Sequence, residues 1–295
     1  MDAGNGLADG GTPAIIGRRE SVRTLRIFVR EGGTGSPVLL LHGIPTSSYL
    51  WRDVLPHLAG SHRVIAPDLP GFGRSDRPRA WPYTVAAWAD IVADLLGLLG
   101  VSTYALVGHD LGALVAAELI ARDPGAATAL ILTNTSLRYG GWHGVSPLSL
   151  LRLPLAGEVG VALARRWMLR TAMRVYVSEP DRLSRAAMDE YWWPFEHGFR
   201  EVLLHLYRSP IASGTDFPRW RAALEAYPGR ALLAWGMRDP SFGAAELEHA
   251  AGLLADPAVV PFVHANHFIQ EDRPQALARL IGAFLAGAAL PRAVP

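Results

Sequence analysis

The sequence predicts an α/β protein: a mainly parallel sheet flanked by helices, with a helical cap inserted in its second half. Three observations carry this. Short apolar runs of strand length alternate with helical stretches, first up to residue 133 and again from residue 231. The pentapeptide Gly108-His109-Asp110-Leu111-Gly112 joins a β-type run (103–107) to a helical run (111–121). Between about 134 and 218 the strand rhythm stops and the segment reads as helices.

Taken in order, residues 1–12 are rich in Gly and Asp and are expected to be a disordered tail. Two β-like runs follow within 15–30. The second, residues 23–29, alternates polar and apolar side chains as a sheet-edge strand would. Residues 37–41 and 63–67 are continuous apolar runs, which suits strands buried on both faces. A helix is expected over 85–99, then the strand that leads into Asp110, then a strand at 129–133. The helical segment holds Trp142, Trp167, Trp192 and Trp193, with Trp220 at its edge, and Tyr139, Tyr176, Tyr191 and Tyr207. Strands resume at 231–235 and 258–263, a helix lies near 244–254, and an amphipathic helix near 274–286 closes the fold. The expected division is a core of 13–135 and 219–288, a cap of 136–218, and a C-terminal tail of 289–295.

Composition removes several function classes. The chain has 295 residues, half of them hydrophobic, and a formal charge of +1. No basic block suggests nucleic acid. No cysteine is present, so disulfides and thiolate metal sites are excluded. The ten histidines are dispersed without metal-ligand spacing, so no metal and no cofactor are expected. The first residues lack the basic and apolar regions of a signal peptide, and no apolar run reaches the ~18 residues of a membrane span. A cytoplasmic monomer or homodimer with no membrane partner is expected.

Ligands gather at the carboxyl ends of parallel strands. Four features fall there: His42-Gly43-Ile44-Pro45, Asp110, Asp239 and His267. Asp110 between glycines is a nucleophile at a sharp turn. Asp239 and His267 follow in the chain order nucleophile, acid, histidine. His109, His42 and Asp68 read as structural, and His264 as a strand-end residue.

The segments His42-Gly43-Ile44-Pro45-Thr46-Ser47-Ser48-Tyr49-Leu50-Trp51, 68–76, Gly108-His109-Asp110, 235–239 and His267-Phe268-Ile269-Gln270-Glu271 carry a resemblance. Over about residues 20–288 the chain resembles the α/β-hydrolase fold family, in its haloalkane dehalogenase and epoxide hydrolase branch. The resemblance implies an eight-stranded sheet with a helical cap. It also implies a cofactor-independent hydrolase acting with water on a small apolar organic substrate. Asp110 would attack an sp³ carbon to give an alkyl ester, which water activated by His267 would hydrolyse, with Asp239 orienting the imidazole. The backbone N–H groups of Ile44 and Leu111 would form the oxyanion hole.

Dehalogenases of the branch typically place Trp directly after the nucleophile, and often Asn at the third position of the His-Gly-x-Pro motif. Here those positions are Leu111 and Ile44, whose side chains donate nothing to a leaving halide. Epoxide hydrolases protonate the leaving oxygen with cap tyrosines. Of the four cap tyrosines Tyr191 and Tyr207 are preferred, with Trp192 and Trp193 as possible indole donors or an aromatic wall. The alternative class is a non-hydrolytic member of the fold: a ligand-binding protein, lyase or cyclase.

Overall fold

The computed structural model describes residues 13–138 and 150–295. The first half contains β1 (Ile16–Val22), β2 (Leu25–Gly32), β3 (Pro37–Leu41), α1 (Leu55–Ala59), β4 (Arg63–Pro67), α2 (Val85–Leu98), β5 (Tyr104–His109), α3 (Leu111–Arg122) and β6 (Ala127–Thr133). Then come α4 (Ala156–Leu163), α5 (Arg166–Val175), α6 (Arg185–Glu196), α7 (Phe199–Arg208) and α8 (Asp216–Glu225). The chain closes with β7 (Arg230–Gly236), α9 (Ala244–Gly252), β8 (Ala258–Phe262), α10 (Ile269–Asp272) and α11 (Pro274–Leu285). The expected tail 1–12, Tyr139 and Trp142 lie outside the described residues.

The strands form one eight-stranded sheet in the order β1-β2-β4-β3-β5-β6-β7-β8. β2 is antiparallel to both its neighbours, and every pair from β4 to β8 is parallel. The continuous apolar runs follow from burial on both faces. In β3, Leu39 and Leu41 join the apolar layer that contains α2 and α3, while Val38 and Leu40 join the layer that contains α1 and α11.

The run at 23–29 is not at the edge. It forms most of β2, which lies between β1 and β4, and β1 takes the edge. Its alternation records one buried face, with Leu25, Ile27 and Val29 turned inward, and burial of one face does not fix a strand's place in the sheet.

The expected cap, 136–218, would end inside α8. That helix is part of the layer flanking the sheet: the buried Glu118 of α3 accepts from Trp220 Nε1 at 2.6 Å and pairs with Arg122 and Arg219. The last residues are also tied down. Val263 N–H donates to the Val294 carbonyl at 2.8 Å, and Val294 N–H to the Pro261 carbonyl at 2.9 Å.

Strand order reverses between β3 and β5. From β3 the chain crosses to β4 on one side, and from β5 to β6 on the other. The loops leaving β3 and β5 diverge at their carboxyl ends, and that crevice is where an open α/β sheet places its ligand.

Candidate active site

Asp110 sits at the turn between β5 and α3 with φ 53° and ψ −121°. This is a left-handed conformation uncommon for a residue with a Cβ, and costs about 1–3 kcal/mol. The surroundings impose it. Asp110 N–H donates to the Asn134 carbonyl at 3.2 Å, and its own carbonyl accepts from Thr135 Oγ1 at 2.9 Å. The glycines give the turn room. A Cβ on Gly112 would lie 2.4 Å from the Leu41 carbonyl oxygen, and one on Gly43 would lie 2.3 Å from the Asp110 carboxylate. Gly43→Ala is therefore expected to displace that carboxylate and cut turnover by about 10²-fold or more, as a 1 Å misplacement can. A steady-state assay on a correctly folded variant checks it.

The two carboxylate oxygens of Asp110 have different surroundings. Oδ1 accepts from the Ile44 N–H at 2.7 Å, and the Leu111 N–H also favours the ionised form of this carboxylate. Oδ2 lies 3.8 Å from His267 Nε2. Burial raises the Asp110 pKa to about 6, against the lowering effect of His267 and the two N–H groups. The Ile44 donor is set by its loop: the Gly43 carbonyl is bonded by Thr46 Oγ1 at 2.9 Å and by His42 Nδ1 at 3.0 Å. His42 Nε2 in turn accepts from Leu69 N–H at 3.0 Å. The Ile44-Pro45 bond is cis.

His267 Nδ1 lies 2.8 Å from Asp239 Oδ2. Asp239 is itself held by several donors. Its Oδ1 accepts from the backbone N–H of Ser241 at 2.8 Å and of Phe242 at 3.0 Å, and its Oδ2 accepts from Asn134 Nδ2 at 2.8 Å. Burial would raise the Asp239 pKa, but His267 and these backbone donors outweigh it and leave the carboxylate below its ordinary value. Burial would likewise lower the His267 pKa, but the charges of Asp239 and Asp110 leave it above its ordinary value. His109, buried with its ring 4.7 Å from that of His267, is held well below the usual range by burial and stays neutral.

The structure thus brings Asp110, His267, Asp239, Ile44 and Leu111 together. Asn134 is the residue that sequence reading missed. Its place beside Asp239 follows from β6 lying between β5 and β7, and its φ of 26° suits Asn better than most side chains. His264 stands apart, bonded to Arg238 at 3.0 Å. Asp68 shapes its loop, accepting from the N–H groups of Ser48 and Arg74 at 2.7 and 2.6 Å.

The cap residues need correction. Tyr191, one of the two preferred tyrosines, directs its hydroxyl to Glu271, which also receives a bidentate pair from Arg52 at 2.6 and 2.7 Å. Trp192 gives its indole N–H to Glu196 at 2.8 Å, and Trp193 stacks on His197 with ring centroids 3.8 Å apart. Both line a surface cleft of about 580 Å³ with Arg165, Arg166 and Arg200. The Tyr191 hydroxyl and the Trp192 indole N–H are thus given to Glu271 and Glu196 and not to Asp110.

Tyr207 and Tyr176 are the cap tyrosines whose phenols feel the charge of Asp110. Burial pushes the Tyr207 phenol up to about 12, and the nearby Tyr176 and Asp110 add to it. The Tyr176 phenol is raised too, chiefly by burial and also by Asp239 and Asp110. Its ring packs against His267 at 5.5 Å, with its hydroxyl 3.1 Å from Ser241 Oγ. Nothing in the spacing of α5 and α6 marks Tyr176 over Tyr191, since both lie on amphipathic helices or at their ends.

The Arg52–Glu271–Tyr191 cluster joins cap helix α6 to the segment just after His267. Glu271→Ala would leave Arg52 without its bidentate partner, and a loss of about 3 kcal/mol in denaturant unfolding is expected.

Residues 36–153 match the model of the alpha/beta hydrolase fold family. Over 86% of its length, and 86% of the relative's, the chain is 32% identical to a haloalkane dehalogenase of Mycobacterium marinum (strain ATCC BAA-535 / M). The crystal structure of haloalkane dehalogenase DbeA from Bradyrhizobium elkani USDA94 superposes with a TM-score of 0.83 at 28% identity, covering 93% of this chain and 98% of that one. The structure of epoxide hydrolase CorEH without ligand shares the fold, with a TM-score of 0.79 at 23% identity, covering 93% and 99%.

Proposed function

The chain belongs to the α/β-hydrolase family, in its haloalkane dehalogenase and epoxide hydrolase branch, and we propose that this hydrolase opens a small apolar epoxide through an alkyl ester on Asp110. Asp110 Oδ2 attacks a ring carbon and the carbon–oxygen bond breaks. The leaving oxygen takes a proton from Tyr207, with Tyr176 as the second phenol. Both phenols are held above their ordinary pKa, so they are protonated donors at neutral pH.

In the second half His267 Nε2 takes a proton from water, which attacks the Asp110 carboxyl carbon. The negative charge develops on Oδ1, the atom already bonded by Ile44 N–H at 2.7 Å. Asp239 stabilises the imidazolium. Collapse releases the diol as its alkoxide takes the proton back from His267, and the carboxylic acid left on Asp110 gives up its proton, through solvent, to the Tyr207 phenolate, restoring both groups.

The single observation that carries this reading is the asymmetry of the Asp110 carboxylate. One oxygen is bonded by the Ile44 N–H in the resting state, and the other faces His267. Haloalkane dehalogenation is the second reading, favoured by the names of the relatives at 28–32% identity. Against it stand the apolar side chains of Ile44 and Leu111, because an emerging halide loses two donors worth about 1.5–3 kcal/mol each. Matched epoxide and chloride or bromide substrates separate the two. The epoxide reading expects diol formation to exceed halide release by at least about 10²-fold, which is what two lost donors of this size imply. Faster halide release makes the protein a dehalogenase. A ligand-binding or lyase role is not favoured by hydrolase relatives and a complete Asp–His–Asp arrangement.

A further inference from the structure

Of the twelve exposed large hydrophobic side chains among the described residues, eight lie between 150 and 175. Helix α4 buries only Gly157 and Val161, and α5 only Leu169 and Met173. On the outside of α4, Leu155, Val159 and Leu163 follow at four-residue spacing and are 80%, 56% and 59% exposed. A helix apolar on both sides has a second surface to cover. Trp167 (67% exposed) and Met168 continue the patch at the start of α5.

The same stretch is also cationic. Between residues 150 and 175 stand five arginines and one glutamate, against a formal charge of +1 for the whole sequence. Arg152, Arg165, Arg170 and Arg174 are exposed. An apolar surface with Trp, ringed by arginine, matches an anionic lipid interface, where apolar side chains enter the acyl boundary and guanidinium groups meet phosphates. It matches a second copy of this chain poorly, because a two-fold contact through the patch would set its arginines against their own copies.

We propose that the α4–α5 face of the cap docks on an anionic lipid surface. The sequence expectation of no membrane partner rested on the lack of a spanning run, and linear sequence does not show which side chains of α4 and α5 remain uncovered. The docked face adjoins the candidate active site. Helix α7 carries Tyr207, and its Arg208 Nε donates to the Leu151 carbonyl at 3.0 Å. A lipid-dissolved substrate would meet the protein on that side.

Flotation with phosphatidylcholine vesicles, with and without phosphatidylglycerol, tests this on the full chain. The protein is expected to float with the anionic vesicles only, and to be released by high salt. Arg170→Glu should weaken binding at least about fivefold, and the double variant Leu163→Ser/Trp167→Ser should weaken it further. Both are expected to keep turnover of a water-soluble substrate and an unchanged melting temperature. The proposal fails if folded, active protein stays in solution with both vesicle types, or if it floats and neither variant changes that. It fails equally if the protein is a dimer that these substitutions dissociate, since a second copy then covers the face.

Discussion

Asp110→Asn is expected to abolish turnover and to stabilise the protein. Without a nucleophilic carboxylate the ester cannot form, and a fall in kcat of at least about 10⁴-fold is expected, the scale of losing a member of a catalytic triad. Stability moves the other way because the site holds a buried charge. Burial raises the folded-state pKa of Asp110 to about 6, from an ordinary 3.8. Between those values the folded chain binds the proton more tightly than the unfolded chain does. The contribution of this group to stability therefore falls as pH rises from about 4 to about 6, and stays low above that. At about 1.4 kcal/mol per pKa unit, the neutral amide recovers up to about 3 kcal/mol at pH 8. Urea unfolding of both proteins at pH 4.5 and pH 8 checks this. The gap should widen at the higher pH, and equal stability at pH 8 would show that the carboxylate is not held at a cost.

His267→Gln is expected to separate the two half-reactions. Alkylation uses Asp110 and the phenols, so one equivalent of substrate should be consumed. Hydrolysis needs the imidazole, and its loss should slow steady-state turnover by about 10³-fold or more. The wild-type protein should show a related split with pH. Alkylation requires ionised Asp110 and weakens as pH falls through about 6. Ester hydrolysis requires neutral His267, whose pKa lies above its ordinary value, so it weakens at higher pH than alkylation does. In the ester Asp110 is neutral, and Asp239 is the remaining charge that holds the imidazole up. As pH is lowered toward 6, the fraction of enzyme trapped as ester in rapid-quench mass spectrometry should rise.

The sheet was legible in the sequence wherever burial was two-sided, since β3, β4 and β6 are apolar runs and nothing else of that length fits them. The turn between β5 and α3 was legible because its geometry demands glycine at 108 and 112 around one reactive residue. Asp239 and His267 could be found because strand ends converge in a parallel sheet. The phenol assignment was half legible: Tyr207 was among the preferred residues, but Tyr191 stood where Tyr176 is now proposed. Tyr191 and Tyr176 are chemically alike, and their contacts depend on how α5 and α6 sit over the sheet, which helical periodicity does not specify. Packing gives one to Glu271 and sets the other against His267. Asn134 escaped for a similar reason, because its role is defined by the carboxylate it steadies across two strands.

The central claim is that Asp110 forms a covalent ester which water opens at the carboxyl carbon. A single turnover of excess enzyme in ¹⁸O-water tests it most directly. The new hydroxyl of the product should carry ¹⁶O from Asp110, and the label should appear in the peptide containing Asp110. Heavy oxygen in that first product, with Asp110 unlabelled, would mean that water attacks the substrate directly and would contradict the mechanism.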